Sequence, residues 1–382
     1  MQVEVHGTVA AGFEKVREVF TDNWQGIEVG ACLSVCLEGE KIIDLWGGSQ
    51  DQAGTKKWQE DTLVNVYSTT KGLASIAIAR LADQGLLDYE APIVDYWPEF
   101  GAEGKSKLTV GQVLSHLGGV CGISEKLEVA DLYDWAKMTR LLAAQKPLWT
   151  LGTEAGYHAV TWGYLPGELF LRITGKTMGS YFHDEIAAPI NAECYIGLPE
   201  SELNRCATLI GPNRARLQPE PTDIPPVVPP LYAITMLNPS IRPYKDASSD
   251  PWRKAEIAAA NGQANARGIA SVYGIMANGG RMNGIDFISP EGIARGTKLE
   301  KEDGVDLVTG GPMRRARGFM LGIDGSYGPN EKAFGHAGAG GSLGFADAEK
   351  RLSFGYAMNQ MQSDPDATPR SRLLVDALYA CL

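Results

Sequence analysis

The sequence lacks the features of membrane-bound, secreted and nucleic-acid-binding proteins. None of its 382 residues lies in a run approaching the roughly 20 apolar residues that span a bilayer. The first twenty residues lack the basic-then-apolar order of a signal peptide. The net charge of -11 argues against nucleic acids and anionic membranes as partners, because both require clustered Lys and Arg. We therefore expect a cytoplasmic protein without either partner. The sequence leaves the oligomeric state open.

Metal-binding and disulfide patterns are also missing. The six cysteines are scattered without a C-x-x-C pair, and the five histidines form no H-E-x-x-H or similar ligand spacing. In a chain of this length such cysteines are more often reduced thiols in the core than disulfides or ligands. We expect no metal and no cofactor.

What is present is the composition of an ordinary globular protein, 44% apolar and 21% charged. A hairpin is indicated around Glu38-Gly39-Glu40, and strands are indicated again after Gly311. Most segments between them have helical patterns. The two groups of strands most economically share one sheet. We therefore predict an α/β fold of the α+β type, with an antiparallel sheet flanked by helices. The predicted units are a discontinuous sheet domain (1–66 and 262–382) and an inserted, mainly helical domain (67–261), with the active site between them.

A proline-rich segment, Pro219 to Tyr232, interrupts the helical region. Its prolines exclude regular helix and central strand. We expect an ordered surface loop rather than a flexible linker.

The stretch VYSTTKGLASIAIARLADQGLL begins at Val66 and carries Ser68 and Lys71 at the start of a helix that is apolar on nearly every side. Residues three apart on a helix lie on one face, about 5–6 Å apart at Cβ. Burial would discharge the lysine, and an uncharged amine could activate the serine as a nucleophile. The alternative is structural: Ser68 caps the helix and Lys71 extends its amine to water.

Two further features fit an active site. Tyr157 lies in the Gly156-Tyr157-His158 loop and could relay protons beside a buried ammonium, or it could be a loop tyrosine with a bonded hydroxyl. The glycine-rich FGHAGAGGSLGF stretch, from Phe334 to Phe345, could bring backbone N–H groups close to Ser68, or form a bulge or turn.

These segments together resemble the serine β-lactamase and penicillin-binding-protein superfamily, in its class C-like branch of family VIII carboxylesterases. The resemblance rests on STTK at Ser68–Lys71, on Tyr157 and on HAGAGG from His336 to Gly341, with similar flanking segments SHLGG and NARG. It implies that Ser68 is the acyl-accepting nucleophile, Lys71 its activator and Tyr157 the general base and acid. It also implies an oxyanion hole formed by the N–H groups of Ser68 and Ala339, and substrate contacts from His336 and Gly338.

The sequence departs from class C β-lactamases in two places. Where those enzymes have Tyr-x-Asn, this chain has Ala159 in place of the Asn. Where they have Lys-Thr-Gly, this chain has His336-Ala337-Gly338. Both changes remove groups that engage the amide and carboxylate of lactam and peptidoglycan substrates, which favours neutral esters. We expect His336 either to hydrogen-bond a substrate or Tyr157, or to be a structural strand residue.

A competing motif occurs at Gly340-Gly341-Ser342-Leu343-Gly344, which matches the G-x-S-x-G elbow of α/β-hydrolases. That motif requires a following helix and a later histidine. The residues after Ser342 have a strand pattern, and His336 is the last histidine. We therefore interpret Ser342 as structural.

The sequence favours a serine carboxylesterase that hydrolyses short-chain esters, a small-molecule substrate class, through an acyl-enzyme on Ser68. The alternatives are a β-lactamase or D,D-peptidase acting on amides, an acyltransferase with an alcohol acceptor, and an inactive protein that kept the fold.

Overall fold

The computed structural model describes residues 3–26, 28–212, 228–362 and 369–382. A nine-stranded antiparallel sheet has the order β1-β3-β2-β14-β13-β12-β11-β10-β9. Its strands are β1 (Val5–Val9), β2 (Gly30–Leu37), β3 (Glu40–Gly48), β9 (Leu299–Val305), β10 (Pro312–Ala316), β11 (Met320–Leu321), β12 (Phe334–Ala337), β13 (Leu343–Asp347) and β14 (Leu352–Met358). The predicted antiparallel sheet, shared by early and late parts of the chain, is confirmed. The domain boundaries at 66 and 262 stay a prediction.

Short strands form two further small sheets. They are β4 (Val64–Asn65), β5 (Cys194–Tyr195) and β6 (Gln263–Ala264) in one, and β7 (Arg281–Met282) and β8 (Ile285–Asp286) in the other. The helices are α1 (Glu14–Asp22), α2 (Thr69–Asp83), α3 (Val110–Leu114), α4 (Trp135–Ala144), α5 (Tyr164–Thr174), α6 (Met178–Phe182), α7 (Pro230–Met236), α8 (Asp250–Lys254), α9 (Ala266–Ala277), α10 (Pro290–Gly296) and α11 (Arg370–Tyr379). Of the helices in the described ranges, none has the length and apolar character needed to cross a membrane.

The hairpin between β2 and β3 forms where the sequence indicated it. Glu38 and Gly39 both have positive φ (56° and 88°), as a two-residue type I′ turn requires. The pairing continues along both strands, from Leu37 opposite Glu40 to Gly30 opposite Gly48. This hairpin lies beside β14, so the early strands and the late strands form one continuous sheet.

Helices cover both faces of the sheet. Side chains of α1 and α11, such as Phe20 and Leu374, pack with Leu33 and Phe354 on one face. Helix α9 packs on the other face, and it approaches closely because Gly344 and Gly355 leave no side chain beneath it. A Cβ at Gly355 would lie 2.4 Å from the Ala266 carbonyl oxygen. Helix α2 is buried on all sides between this layer and the helical region, as expected for a helix that is apolar all round.

Two segments differ from the sequence prediction. The strand β9 at the sheet edge has the sequence LEKEDGV, whose charges hid its strand character. The segment predicted to be a loop between Pro219 and Tyr232 falls largely outside the described residues. Its last residues, from Pro230, begin α7, because proline is well accommodated in the first turn of a helix. The loop prediction is wrong for those residues.

Candidate active site

Ser68 lies at the N-terminal end of α2, next to a cavity of about 350 Å³. The preceding residue, Tyr67, has a left-handed backbone conformation (φ 44°), and its hydroxyl donates to the Pro243 carbonyl oxygen. Such a conformation is unfavourable for a bulky residue and is typical of functional sites. The chain therefore turns sharply into α2 at the position that presents the Ser68 hydroxyl to the cavity.

Lys71 is completely buried, one helical turn after Ser68. Its Nζ atom lies 3.1 Å from Ser68 Oγ, and it donates hydrogen bonds to the carbonyl oxygens of Ala159 (2.8 Å) and Ala259 (2.9 Å). Burial lowers the pKa of Lys71 well below its usual value, and the positive charge of Arg315 lowers it further. A neutral amine has two N–H groups, which match the two carbonyls, and one lone pair, which is left for Ser68. The geometry therefore fits an uncharged amine acting as a base.

Tyr157 donates a hydrogen bond from its hydroxyl to Ser68 Oγ, at 2.6 Å. Lys71 Nζ lies 4.8 Å from the centroid of its ring. Burial raises the pKa of Tyr157 to about 12, although the hydrogen bond with Ser68 and the charge of Arg315 act in the opposite direction. The phenol therefore keeps its proton at neutral pH. Burial of Tyr157 thus acts against the easier proton loss that was expected beside an ammonium.

The backbone N–H groups of Ser68 and Ala339 are both available for an oxyanion. Both residues line the cavity, and within the described residues neither amide donates a hydrogen bond. The strand end that carries Ala339 approaches α2 closely at Gly338, where a Cβ would lie 2.1 Å from the Val66 carbonyl oxygen. The structure thus has the close backbone approach that the glycine-rich segment suggested.

His336 is buried on β12, with its ring centroid 6.1 Å from that of Tyr157. Its Nδ1 donates to the Ala337 carbonyl oxygen at 2.7 Å, and its Nε2 is buried without a hydrogen-bond partner in the described part of the chain. Burial lowers the pKa of His336 to about 3, so the ring is neutral. It makes no hydrogen bond to Tyr157. Of the two interactions expected of it, contact with a substrate stays a prediction.

Ser342 is a structural residue, as the sequence analysis expected. Its hydroxyl donates to the Val66 carbonyl oxygen (2.8 Å) and lies 3.0 Å from the Thr69 hydroxyl oxygen. The strand β13 follows it immediately, in place of the helix that a nucleophile elbow requires. Through these contacts Ser342, immediately before β13, hydrogen-bonds to residues on both sides of Ser68.

Two residues of the site were not found from the sequence. Arg315 on β10 and Asp306 after β9 form a buried ion pair next to Tyr157. No motif marks either residue, and both are distant from Ser68 and Tyr157 in the chain. Their charge is the only feature of the two residues that the sequence shows.

Two cavities meet at Tyr157. The cavity that contains Ser68 is walled by apolar residues such as Val160, Ile241, Trp252 and Met361, and none of the described Lys, Arg, Asp or Glu residues lines it. The second, of about 620 Å³, has Arg315 and His336 in its wall. Tyr157 and Ala337 line both. Among the described residues, no group of three or more His, Cys, Asp or Glu side chains is arranged to hold a metal ion.

Comparison with known proteins gives consistent matches along the chain. A family model described as beta-lactamase matches residues 16–379. The esterase/beta-lactamase LipL of Mycobacterium tuberculosis is 36% identical over 94% of this chain and 84% of its own length. A crystal structure of a family VIII carboxylesterase is 46% identical with a TM-score of 0.92, over 99% of this chain and 100% of that chain. A penicillin-binding-protein homologue from Caulobacter crescentus is 38% identical with a TM-score of 0.90, over the same shares of the two chains.

Proposed function

The chain belongs to the beta-lactamase family, and from that premise we propose that it is a serine carboxylesterase that forms its acyl-enzyme on Ser68. The similarity to a family VIII carboxylesterase and to an esterase/beta-lactamase supports ester hydrolysis. The observation that carries the proposal is the contact of Ser68 Oγ with a buried amine at 3.1 Å and a phenol at 2.6 Å.

Acylation would begin with proton transfer from Ser68 to the lone pair of Lys71 Nζ. Ser68 Oγ then forms a bond to the ester carbonyl carbon, and the carbonyl oxygen becomes an oxyanion. The N–H groups of Ser68 and Ala339 would stabilise it, together with the N-terminal end of α2. When the bond to the alcohol breaks, Tyr157 would donate its proton to the leaving oxygen. The extra proton on Lys71 then restores the phenol.

Deacylation would use the same groups in the opposite direction. A water molecule enters on the side of the departed alcohol. As it attacks the acyl carbon, Tyr157 would pass its own proton to the Lys71 amine and take the proton of the water. The bond to Ser68 Oγ then breaks, and Oγ recovers a proton from Lys71. An alcohol in the place of water would give acyl transfer, which the same chemistry permits.

The cavity chemistry supports a neutral acyl group. Within the described part of the chain, no Lys, Arg, Asp or Glu side chain lines the cavity that contains Ser68. The residue in the position of the strand lysine of class C β-lactamases is His336, which burial keeps neutral. Lactam hydrolysis is the second candidate activity, because one relative carries both names and another is a penicillin-binding-protein homologue. The cytoplasmic compartment stays a prediction.

Labelling with an alkyl fluorophosphonate, followed by peptide mapping in a mass spectrometer, tests the nucleophile. We expect one label, on Ser68, with loss of labelling and of aryl ester hydrolysis in Ser68→Ala. Ser342→Ala is the matched control, since it removes a nearby buried serine hydroxyl, and it should keep activity within about tenfold. A label on Ser342, or a folded but inactive Ser342→Ala variant, would refute the assignment.

A further inference from the structure

The buried ion pair between Arg315 and Asp306 has no part in the mechanism described so far. Their side chains are 3% and 1% exposed, and Arg315 Nη2 donates to Asp306 Oδ2. Asp306 Oδ1 accepts hydrogen bonds from the backbone N–H groups of Tyr157 (3.2 Å), Val308 (2.9 Å) and Thr309 (2.8 Å). A single carboxylate therefore holds both the guanidinium and the backbone of the catalytic tyrosine.

Arg315 is poorly satisfied for a buried arginine. Its Nε and Nη1 atoms are buried and have no hydrogen-bond partner among the residues that the structure describes. Its guanidinium carbon lies over the Tyr157 ring, 5.5 Å from the centroid, so the aromatic face compensates part of the lost hydration. A buried ion pair is weak support for stability, and apolar residues of similar size often do as well. Its position against Tyr157 therefore points to a role in the active site.

Arg315 also affects Lys71. Both the guanidinium carbon and Lys71 Nζ lie close to the centroid of one ring, at 5.5 Å and 4.8 Å. The two groups are thus at most about 10 Å apart, within range of Coulomb interaction in a protein interior. Because Arg315 stays charged, it disfavours a second positive charge on Lys71 and favours negative charge on Tyr157 Oη or on a nearby oxyanion.

We propose that the Arg315–Asp306 pair is the positioning and charge-setting element of the site. Asp306 holds Tyr157 in place, and Arg315 supplies a fixed positive charge that keeps the Lys71 amine free to accept a proton. This inference rests on the proposed function.

Among the described residues, the other titratable groups near Tyr157 include three histidines and Tyr327, whose pKa is raised by burial and by Tyr157 itself. His116 lies 5.1 Å from the Tyr157 ring centroid, His336 lies at 6.1 Å, and His158 contacts His116. Burial lowers the pKa of His116 well below its usual value and that of His158 and His336 to about 3. His158 and His336 therefore stay neutral above about pH 5, and burial favours the neutral form of His116 as well. The low-pH limb of kcat/KM consequently reports the loss of the proton from Lys71.

The test is the pH profile of kcat/KM with a neutral aryl ester for four variants. Arg315→Met removes a positive charge, so an ammonium at Lys71 becomes less unfavourable. The low-pH limb of kcat/KM should therefore move to higher pH. Two unit charges about 10 Å apart at an effective dielectric constant of about 20 correspond to a shift of about one pH unit. Arg315→Lys keeps the charge and should restore much of the wild-type profile. Asp306→Asn removes a negative charge but keeps an acceptor oxygen, so the low-pH limb should move to lower pH.

Arg317→Met is the matched control. Arg317 lies two residues from Arg315, is equally buried, and pairs with Glu90 and Glu300 away from Tyr157. Its loss should leave the limb within about 0.2 pH unit, because its charge does not face the site. If kcat/KM of the Arg315 and Asp306 variants fell by the same factor at every pH, without a shift of the limbs along the pH axis, the pair would be purely structural. That result would overturn the proposal. Shifts of the wrong sign in Asp306→Asn would also overturn it.

The outcomes separate this proposal from the function on which it rests. A wild-type protein that is inactive on aryl esters and unlabelled by fluorophosphonate would refute the esterase. An active wild type with unmoved limbs in Arg315→Met and Asp306→Asn would refute only the role of the pair. If Arg315→Met does not fold, Asp306→Asn decides, because it is nearly isosteric and retains the three backbone hydrogen bonds.

Discussion

Replacing Lys71 by Met should change stability with a pH dependence that reports the charge of the buried amine. In the folded protein, burial lowers the pKa of Lys71 well below its usual value. In the unfolded chain it returns to about 10.4. Between these two values the unfolded state binds one more proton than the folded state. The wild-type free energy of unfolding must therefore increase as the pH is raised across that window and decrease as the pH is lowered through it.

The size of the effect follows from one proton. Within the window, stability changes by about 1.4 kcal/mol for each pH unit, or about 2 kcal/mol between pH 7.5 and pH 9. Lys71→Met has no such group, so the difference between the two proteins should show this slope. The carbonyls of Ala159 and Ala259 lose their donor in the variant, which adds about 1–3 kcal/mol each at every pH. The prediction therefore concerns how the difference in unfolding free energy changes with pH, and not its size at any one pH.

Urea unfolding of both proteins at half-unit steps from pH 7.5 to pH 9.5 measures the slope. Lys105 provides a matched control, since it is equally inaccessible to solvent, but its Nζ donates to three carbonyls, at 2.8, 3.1 and 2.6 Å. Three carbonyl acceptors suit an ammonium with three N–H groups. Lys105→Met should leave kcat within a few-fold and show a smaller slope, confined to higher pH. A difference for Lys71→Met that is independent of pH would mean a charged Lys71, and the base would have to be another group.

Three further predictions follow from the site. Tyr157→Phe should lower kcat about 100-fold or more, because it removes the proton donor 2.6 Å from Ser68 Oγ; near-normal turnover would make Tyr157 structural. Ala260→Leu adds volume to the wall of the cavity that contains Ser68, so kcat/KM for octanoyl aryl esters should fall more than tenfold while acetyl esters are little affected; equal losses would place the acyl group elsewhere. Assays with an aryl ester and a chromogenic cephalosporin should give fast ester and slow lactam turnover; the reverse order would favour the lactamase.

The features that the sequence predicted well depend on neighbouring residues. The spacing of Ser68 and Lys71 on one helix determines that they meet. Glu38-Gly39 encodes its own turn through positive φ values.

What the sequence could not show depends on contacts between distant segments. The acceptors that hold the Lys71 amine in place are the backbone carbonyls of residues 88 and 188 positions away, and any residue type carries such a group. The burial of Arg315 was equally hard to predict, because a charged residue on a strand is usually exposed to solvent. The proposed direction of proton transfer also depends on the fold, because burial lowers the pKa of the Lys71 amine and raises that of the Tyr157 phenol.

Several unfavourable local features converge on one point of the molecule, and this convergence is itself an argument about function. Tyr67 and His116 have left-handed backbones (φ 44° and 67°), which for residues other than Gly cost on the order of 1–3 kcal/mol each. Among the residues that the structure describes, Lys71 has no counter-ion in its buried position, and two nitrogen atoms of Arg315 have no hydrogen-bond partner. Tyr67 precedes Ser68, and the other three side chains lie against the Tyr157 ring. A fold optimised for stability alone would not place these costs together. Their common position beside Ser68 is what a preorganised catalytic site requires.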